Sequence, residues 1–125
     1  MTEKQHEKQH EKQIGSLSED PEGEIDSLLA DLWQRHLPSL RERLDLLTRT
    51  ATQASTGTLD EAARAEAQSV AHKLSGNLGM FGHHKAGSIA SQMEHILKAP
   101  TPQTLPLLAD LVQDLRGTLA ASIQG

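Results

Sequence analysis

The chain has 125 residues, which suits one domain with a modest hydrophobic core. It has no cysteine and almost no aromatic residues, which excludes disulfides and cysteine-based zinc sites and leaves an aliphatic core. The formal net charge of −5, with no dense basic face, argues against a nucleic-acid-binding protein. No apolar run approaches ~18 residues, so we expect no membrane span and a cytoplasmic protein.

Residues 1–23 form a polar segment that begins with a repeated Glu-Lys-Gln-His unit. The segment has almost no apolar residues, so it cannot bury enough surface to fold alone, and we predict a disordered tail. His6 and His10 lie one helical turn apart, and a metal site there is the alternative. Gly15, Pro21 and Gly23 interrupt the segment and predict a linker before the folded domain of residues 24–125.

Two apolar stripes at helical spacing follow, the first from Ile25 to Trp33 and the second from Leu37 to Ala54. Pro38 lies between them, and proline removes a helical hydrogen bond and clashes with the preceding turn. We therefore predict a helix break near His36–Leu37, which gives a short first helix and a longer second one. Gly57 should end the second helix.

Three more helices complete the predicted fold. The next one should be capped by Thr58 or its neighbour and end at Gly82, and another should cover roughly residues 83–98. The last should follow Pro102 and run to about Ile123. Short connections make successive helices antiparallel neighbours, so we predict an all-α, antiparallel four-helix bundle with a short N-terminal capping helix.

His72 stands out in the helix that ends near Gly82. An apolar stripe that includes Val70, Leu74 and Leu78 should face the core, and His72 lies about 200° around the helix from the first two. Gly76 and Gly79 should share the exposed side with His72, although each glycine costs a helix roughly 1 kcal/mol relative to alanine. This pattern favours a histidine in a clearing that another macromolecule can reach. A surface histidine beside two incidental glycines is the alternative.

The wider stretch Ala71-His72-Lys73-Leu74-Ser75-Gly76, followed by Gly82 and by Met93-Glu94, carries more information. It resembles the histidine-containing phosphotransfer (Hpt) domain of bacterial phosphorelays, and the resemblance covers roughly residues 24–123. The family pattern is Ala-His-x-Leu-Lys-Gly, so Ser75 stands where the family has a lysine near the phosphate. Lys73 or Lys85 is the candidate substitute for that lysine.

The resemblance implies a four-helix bundle and a phosphorelay intermediate without kinase activity of its own. It implies that His72 accepts a phosphoryl group from the phospho-aspartate of a receiver domain and passes it to another receiver. Lys73, Ser75, Gly76, Gly79 and Lys85 would contact the phosphate or the partner. Receiver domains are the expected partners, with a hybrid histidine kinase as a further candidate, and we expect a monomer. The receiver would supply Mg²⁺, so we expect no cofactor or metal held by this chain.

Two other functions compete with this interpretation. A dimerisation fragment of a sensor kinase usually has an acidic residue after its histidine, whereas this chain has Lys73 and no ATP-binding motif. A helical adaptor would bind a signalling partner without chemistry, and it would tolerate replacement of His72. A zinc site between His72 and His95 is a separate alternative, and it would need carboxylates at a fitting spacing.

Overall fold

The computed structural model describes residues 21–124, which form four α-helices and no strand. Helix α1 runs from Pro21 to Thr56, α2 from Glu61 to Met80, α3 from His84 to Lys98 and α4 from Leu107 to Gln124. The predicted all-α, four-helix class is confirmed. The predicted disordered tail lies almost entirely outside the described residues. These residues fall into two compact units, one ending at Arg35 and one beginning at His36.

The predicted break at Pro38 is wrong, because α1 continues through this proline, and the short N-terminal helix is not a separate element. Pro38 lies on the exposed side of α1, where water can solvate the carbonyl group that loses its partner. Leu37 and Leu40, on either side, are buried. Burying two leucines contributes about 3–6 kcal/mol, which is enough to offset a helix-interior proline at roughly 3 kcal/mol.

In the unit that ends at Arg35, α1 carries an apolar stripe that remains accessible. Ile25, Leu28 and Leu32 are each about half exposed, whereas Trp33 is buried. The helical spacing predicted for these residues is confirmed, but most of the stripe does not contribute to a core.

Cross-helix contacts in the unit that begins at His36 show that neighbouring helices are antiparallel. The His36 ring stacks on the Phe81 ring at a centroid distance of 5.8 Å, which brings α1 beside the end of α2. Arg116 of α4 donates hydrogen bonds to Thr48 and Asp45 of α1, at 3.0 and 2.8 Å. Farther along the same pair of helices, Arg41 of α1 donates to the backbone carbonyl of Ile123 in α4. Residue numbers therefore fall along α1 as they rise along α4, so the two helices are antiparallel.

All four helices contribute aliphatic side chains to the core of this unit. The fully buried side chains include Leu40, Leu44, Leu47, Leu74, Leu78, Met93, Leu97, Leu108, Leu115 and Leu119. On α2 the buried face is displaced slightly from the predicted stripe, because Ala71 is fully buried and Val70 is only half-buried. The core of this unit is therefore built mainly from buried leucine and alanine side chains, as expected for a chain with few aromatic residues.

The ends of α2 fix the orientation of the helix that carries His72. Its N-cap is Asp60, whose carboxylate accepts a hydrogen bond from the Ala63 N–H at 2.8 Å. The predicted cap was Thr58 or its neighbour, but Thr58 instead closes α1, since its N–H donates to the Gln53 carbonyl at 2.9 Å. Gly82 ends α2 as predicted, with a φ of +85° that favours glycine over other residues.

Helices α2 and α3 approach each other closely at Gly87, a buried glycine of α3. A Cβ atom added to Gly87 would lie 3.2 Å from the Ser75 carbonyl oxygen and 3.5 Å from the Gly79 nitrogen. The glycine therefore lets the two backbones come together, and it sets the distance from α3 to the helix that carries His72.

We expect Gly87→Ala to gain little or no stability, because its new Cβ is crowded by the α2 backbone and overpacking costs about 1–3 kcal/mol. Gly117→Ala is the matched control, since Gly117 is also inside a helix but a methyl group added to it would have nothing within 4 Å. That control should gain up to about 1 kcal/mol from helix propensity. Urea denaturation measures both, and equal gains would contradict the close approach at Gly87.

Candidate functional site

His72 projects from the middle of α2 into solvent, with 73% of its side chain exposed. The residues that turn inward on either side of it, Ala71 and Leu74, are fully buried. One turn later, Gly76 is exposed, and a methyl group added there would meet nothing within 4 Å. The predicted exposure of His72 and the open space at Gly76 are therefore both present in the structure.

Helix α3 supplies a carboxylate to the His72 ring. The His72 Nδ1 atom lies 3.0 Å from one Glu94 carboxylate oxygen and 3.2 Å from the other. Counting back along the two antiparallel helices from the glycine turn places residues 92–95 opposite His72, and Glu94 falls within that region. Because an ionised carboxylate only accepts hydrogen bonds, the Nδ1 atom must carry a proton and donate. In the neutral ring this leaves Nε2 as the atom with a free lone pair.

Glu94 itself was not predicted as a partner of His72. The residue considered for that position was His95, whose Nδ1 instead donates to the Ser91 carbonyl of its own helix at 2.9 Å. The available signal was the register of the two helices: an antiparallel pair joined at a glycine turn places residue 94 opposite residue 72.

His72 and Glu94 border a shallow depression of about 430 Å³ whose other lining residues are Ala65, Gln68 and Ser69. These three residues belong to the two helical turns before His72. None of them was predicted, because the motif that indicates the site begins at Ala71 and contains only residues that follow it in the chain. Polar residues three and four positions before an exposed histidine were the signal that could have identified two of them.

The structure places the predicted site residues in three different surroundings. Lys73 is exposed next to His72, while Ser75 and Gly79 are half-buried on the side of α2 that faces α3. Lys85 lies elsewhere: it lines a groove between α3 and α4, together with Ile89, Gln92 and Asp114. The structure therefore places Lys73 and Gly76 on the exposed surface near His72 but outside the depression, and it places Lys85 in a different groove.

Neither a metal cluster nor a membrane-spanning helix is found in the described part of the chain. No group of three or more histidine, cysteine, aspartate or glutamate side chains within residues 23–123 could hold a metal ion. None of the four helices is long and apolar enough to cross a bilayer. The depression itself is lined by the His72 imidazole, the Glu94 carboxylate, the polar side chains of Gln68 and Ser69, and Ala65.

Comparisons with known proteins identify the family of the chain. The Hpt domain family matches residues 24–124. Protein RcaC of Microchaete diplosiphon is 32% identical over 100 residues, which cover 78% of this chain and 15% of RcaC, so the chain spans a small part of that relative. No solved structure gives a significant match. On the extent of the family match, this chain belongs to the Hpt domain family.

Proposed function

We propose that His72 accepts a phosphoryl group on Nε2 from the phospho-aspartate of a receiver domain and passes it to another receiver. The observation that carries this proposal is the Glu94 carboxylate 3.0 Å from Nδ1 of a ring that is otherwise exposed. The carboxylate holds the ring in one tautomer, and its negative charge stabilises the positive charge that develops on the ring during attack.

Membership of the Hpt family supports this proposal. Hpt domains carry out histidine phosphotransfer in phosphorelays without kinase activity of their own, and their partners are receiver and kinase proteins. The particular donor and acceptor receivers, and a hybrid kinase as a source of the phosphoryl group, belong to the proposal. So does a monomeric state, which would leave the His72 face open to one partner at a time.

The transfer step balances without any cofactor from this chain. The Nε2 lone pair attacks phosphorus, the N–P bond forms and the P–O bond of the acyl phosphate breaks. The aspartate carboxylate leaves with the electron pair. The Nδ1 proton remains between the ring and Glu94 throughout. Reversal of the same step passes the phosphoryl group to a second receiver.

We propose that the receiver supplies Mg²⁺ and that this chain contributes space and charge. Gly76 leaves room for the partner beside the ring, and Lys73 carries a positive charge on a long flexible stem. An exposed charge of this kind stabilises a phosphate by at most about 1 kcal/mol. Lys73 is therefore a modest replacement for the family lysine, whose position is occupied by Ser75. Lys85 would act at the edge of the partner surface, because it lies in a different groove.

Incubation with a panel of phosphorylated receivers tests the proposed function. We expect phosphate to move to this chain within the complex and to be labile in acid and stable in base, as a phosphohistidine is. Dephosphorylated receiver should appear in equal amount. If receivers bind the chain but none transfers a phosphoryl group, the protein is a non-catalytic adaptor and the proposal is wrong.

A further inference from the structure

We infer that the depression beside His72 holds the phosphoryl group, with Gln68 and Ser69 as hydrogen-bond donors to its oxygens. This inference rests on the proposed function, because it concerns the phosphorylated form of His72. It assigns the phosphoryl-contacting role to the turn before the histidine, whereas the usual lysine position lies in the turn after it, at Ser75.

The direction of helical side chains places the imidazole over these residues. Side chains on an α-helix lean toward its N-terminus and lie over the residues three and four positions earlier. For His72 those positions are Ser69 and Gln68, and both line the depression together with the ring. With Nδ1 held by Glu94, a phosphoryl group on Nε2 extends from the ring into the space that these residues border.

The Gln68 amide is oriented by an independent contact. Arg64 donates from Nη1 to the Gln68 Oε1 atom at 2.9 Å. Because a guanidinium group has no acceptor, the oxygen of the amide must face Arg64, which leaves the two N–H groups of Gln68 as donors for another partner.

Arg64 is itself held by several contacts. Its Nη1 atom donates to the Leu97 carbonyl at the end of α3, at 2.6 Å, and Glu61 accepts from its Nε and Nη2 atoms at 3.0 and 2.6 Å. Bonding to Glu61 raises the pKa of Arg64. The donor face of Gln68 is thus fixed by a chain of contacts before any phosphate arrives, which lowers the ordering cost of binding it.

Neutral donors suit this position because Glu94 is close by. The carboxylate stabilises a protonated Nδ1 but repels a phosphate, and N–H and O–H groups on the depression offset part of that repulsion. A well-ordered hydrogen bond to a charged group is stronger than one between neutral groups. Exposure to water reduces that advantage. We therefore expect Gln68 to change the phosphorylation equilibrium by about three- to tenfold, and Ser69 by less.

The decisive variant is Gln68→Glu, which keeps an oxygen for Arg64 but replaces the donor by a second acceptor. Gln34→Glu is the matched control: it makes the same charge change at an exposed site of α1, on a residue that lines neither the depression nor the groove of Lys85. Each protein is phosphorylated in two ways, by a phospho-receiver and by potassium phosphoramidate, a small donor that needs no docking surface. The readouts are the phosphorylated fraction at equilibrium with the receiver and the pH titration of the phosphohistidine ³¹P signal.

We expect Gln68→Glu to lower the phosphorylated fraction about three- to tenfold and to move the midpoint of the ³¹P titration to higher pH. Ser69→Ala should lower the fraction by about twofold, and Gln34→Glu should leave both readouts close to those of the unaltered protein. If Gln68→Glu matches Gln34→Glu in both readouts while His72 is still phosphorylated, the assignment of Gln68 is wrong. If His72 of the unaltered protein accepts nothing from either donor, it is the proposed function that fails.

Discussion

We expect the His72→Gln protein to fold like the unaltered protein and to take up no phosphoryl group from any phosphorylated receiver. The side chain is 73% exposed, so its replacement removes little buried surface, and exposed substitutions usually change stability by under about 0.5 kcal/mol. Glutamine can still reach Glu94 with an amide N–H but offers no nucleophilic nitrogen. Thermal denaturation and receiver-dependent labelling measure the two halves of this expectation.

His95→Gln is the matched control for that variant. His95 is also exposed, on α3, and its ring is held by the Ser91 carbonyl of its own helix. The His95 variant should be labelled like the unaltered protein. Labelling of the His72→Gln protein, or loss of labelling in the His95→Gln protein, would move the acceptor away from His72.

A leucine at Gly76 should block phosphotransfer while making the protein more stable. The position is open, since nothing lies within 4 Å of an added Cβ, and leucine is favoured over glycine in a helix by up to about 1 kcal/mol. A side chain at residue 76 leans back over residue 72. It would occupy the space through which a receiver reaches the ring, so we expect transfer from receivers to slow by roughly tenfold or more.

Two comparisons separate steric blocking from a change in the histidine itself. Gly76→Ala should gain similar stability with a smaller loss of transfer, because a methyl group leaves most of the space free. Phosphorylation of Gly76→Leu by phosphoramidate should fall much less than phosphorylation by receivers. A Gly76→Leu protein that accepts from receivers at the unaltered rate would place the docking surface elsewhere on the bundle.

The three helices after α1, their order and the exposure of His72 could be predicted from the sequence, because each depends on local periodicity. The apolar stripe of α2 needed only the 3.6-residue repeat, and the Gly82 turn needed only the preference of glycine for positive φ. The break at Pro38 was predicted wrongly because local periodicity does not determine whether a helix continues through a proline. Whether a proline ends a helix depends on the tertiary burial of Leu37 and Leu40, which local rules do not include.

The less predictable part of the site is the part made between helices. The contact of Glu94 with His72 requires the register of α2 against α3 and the short distance between these helices that Gly87 allows. The orientation of Gln68 requires Arg64 to reach the end of α3 at Leu97. The Arg64–Gln68 contact has the i, i+4 spacing of one helix, but the contacts of His72 with Glu94 and of Arg64 with Leu97 join two helices, so helical periodicity alone could not predict them.

The most direct test of the central claim is to determine which atom carries the phosphoryl group after transfer from a receiver. Uniform ¹⁵N labelling and NMR of the phosphorylated protein should show ¹⁵N–³¹P coupling to Nε2 of His72, with Nδ1 still protonated beside Glu94. That result would place the N–P bond where the geometry of Glu94 directs it. A phosphoryl group on Nδ1 of His72, or on any other residue, would contradict the account.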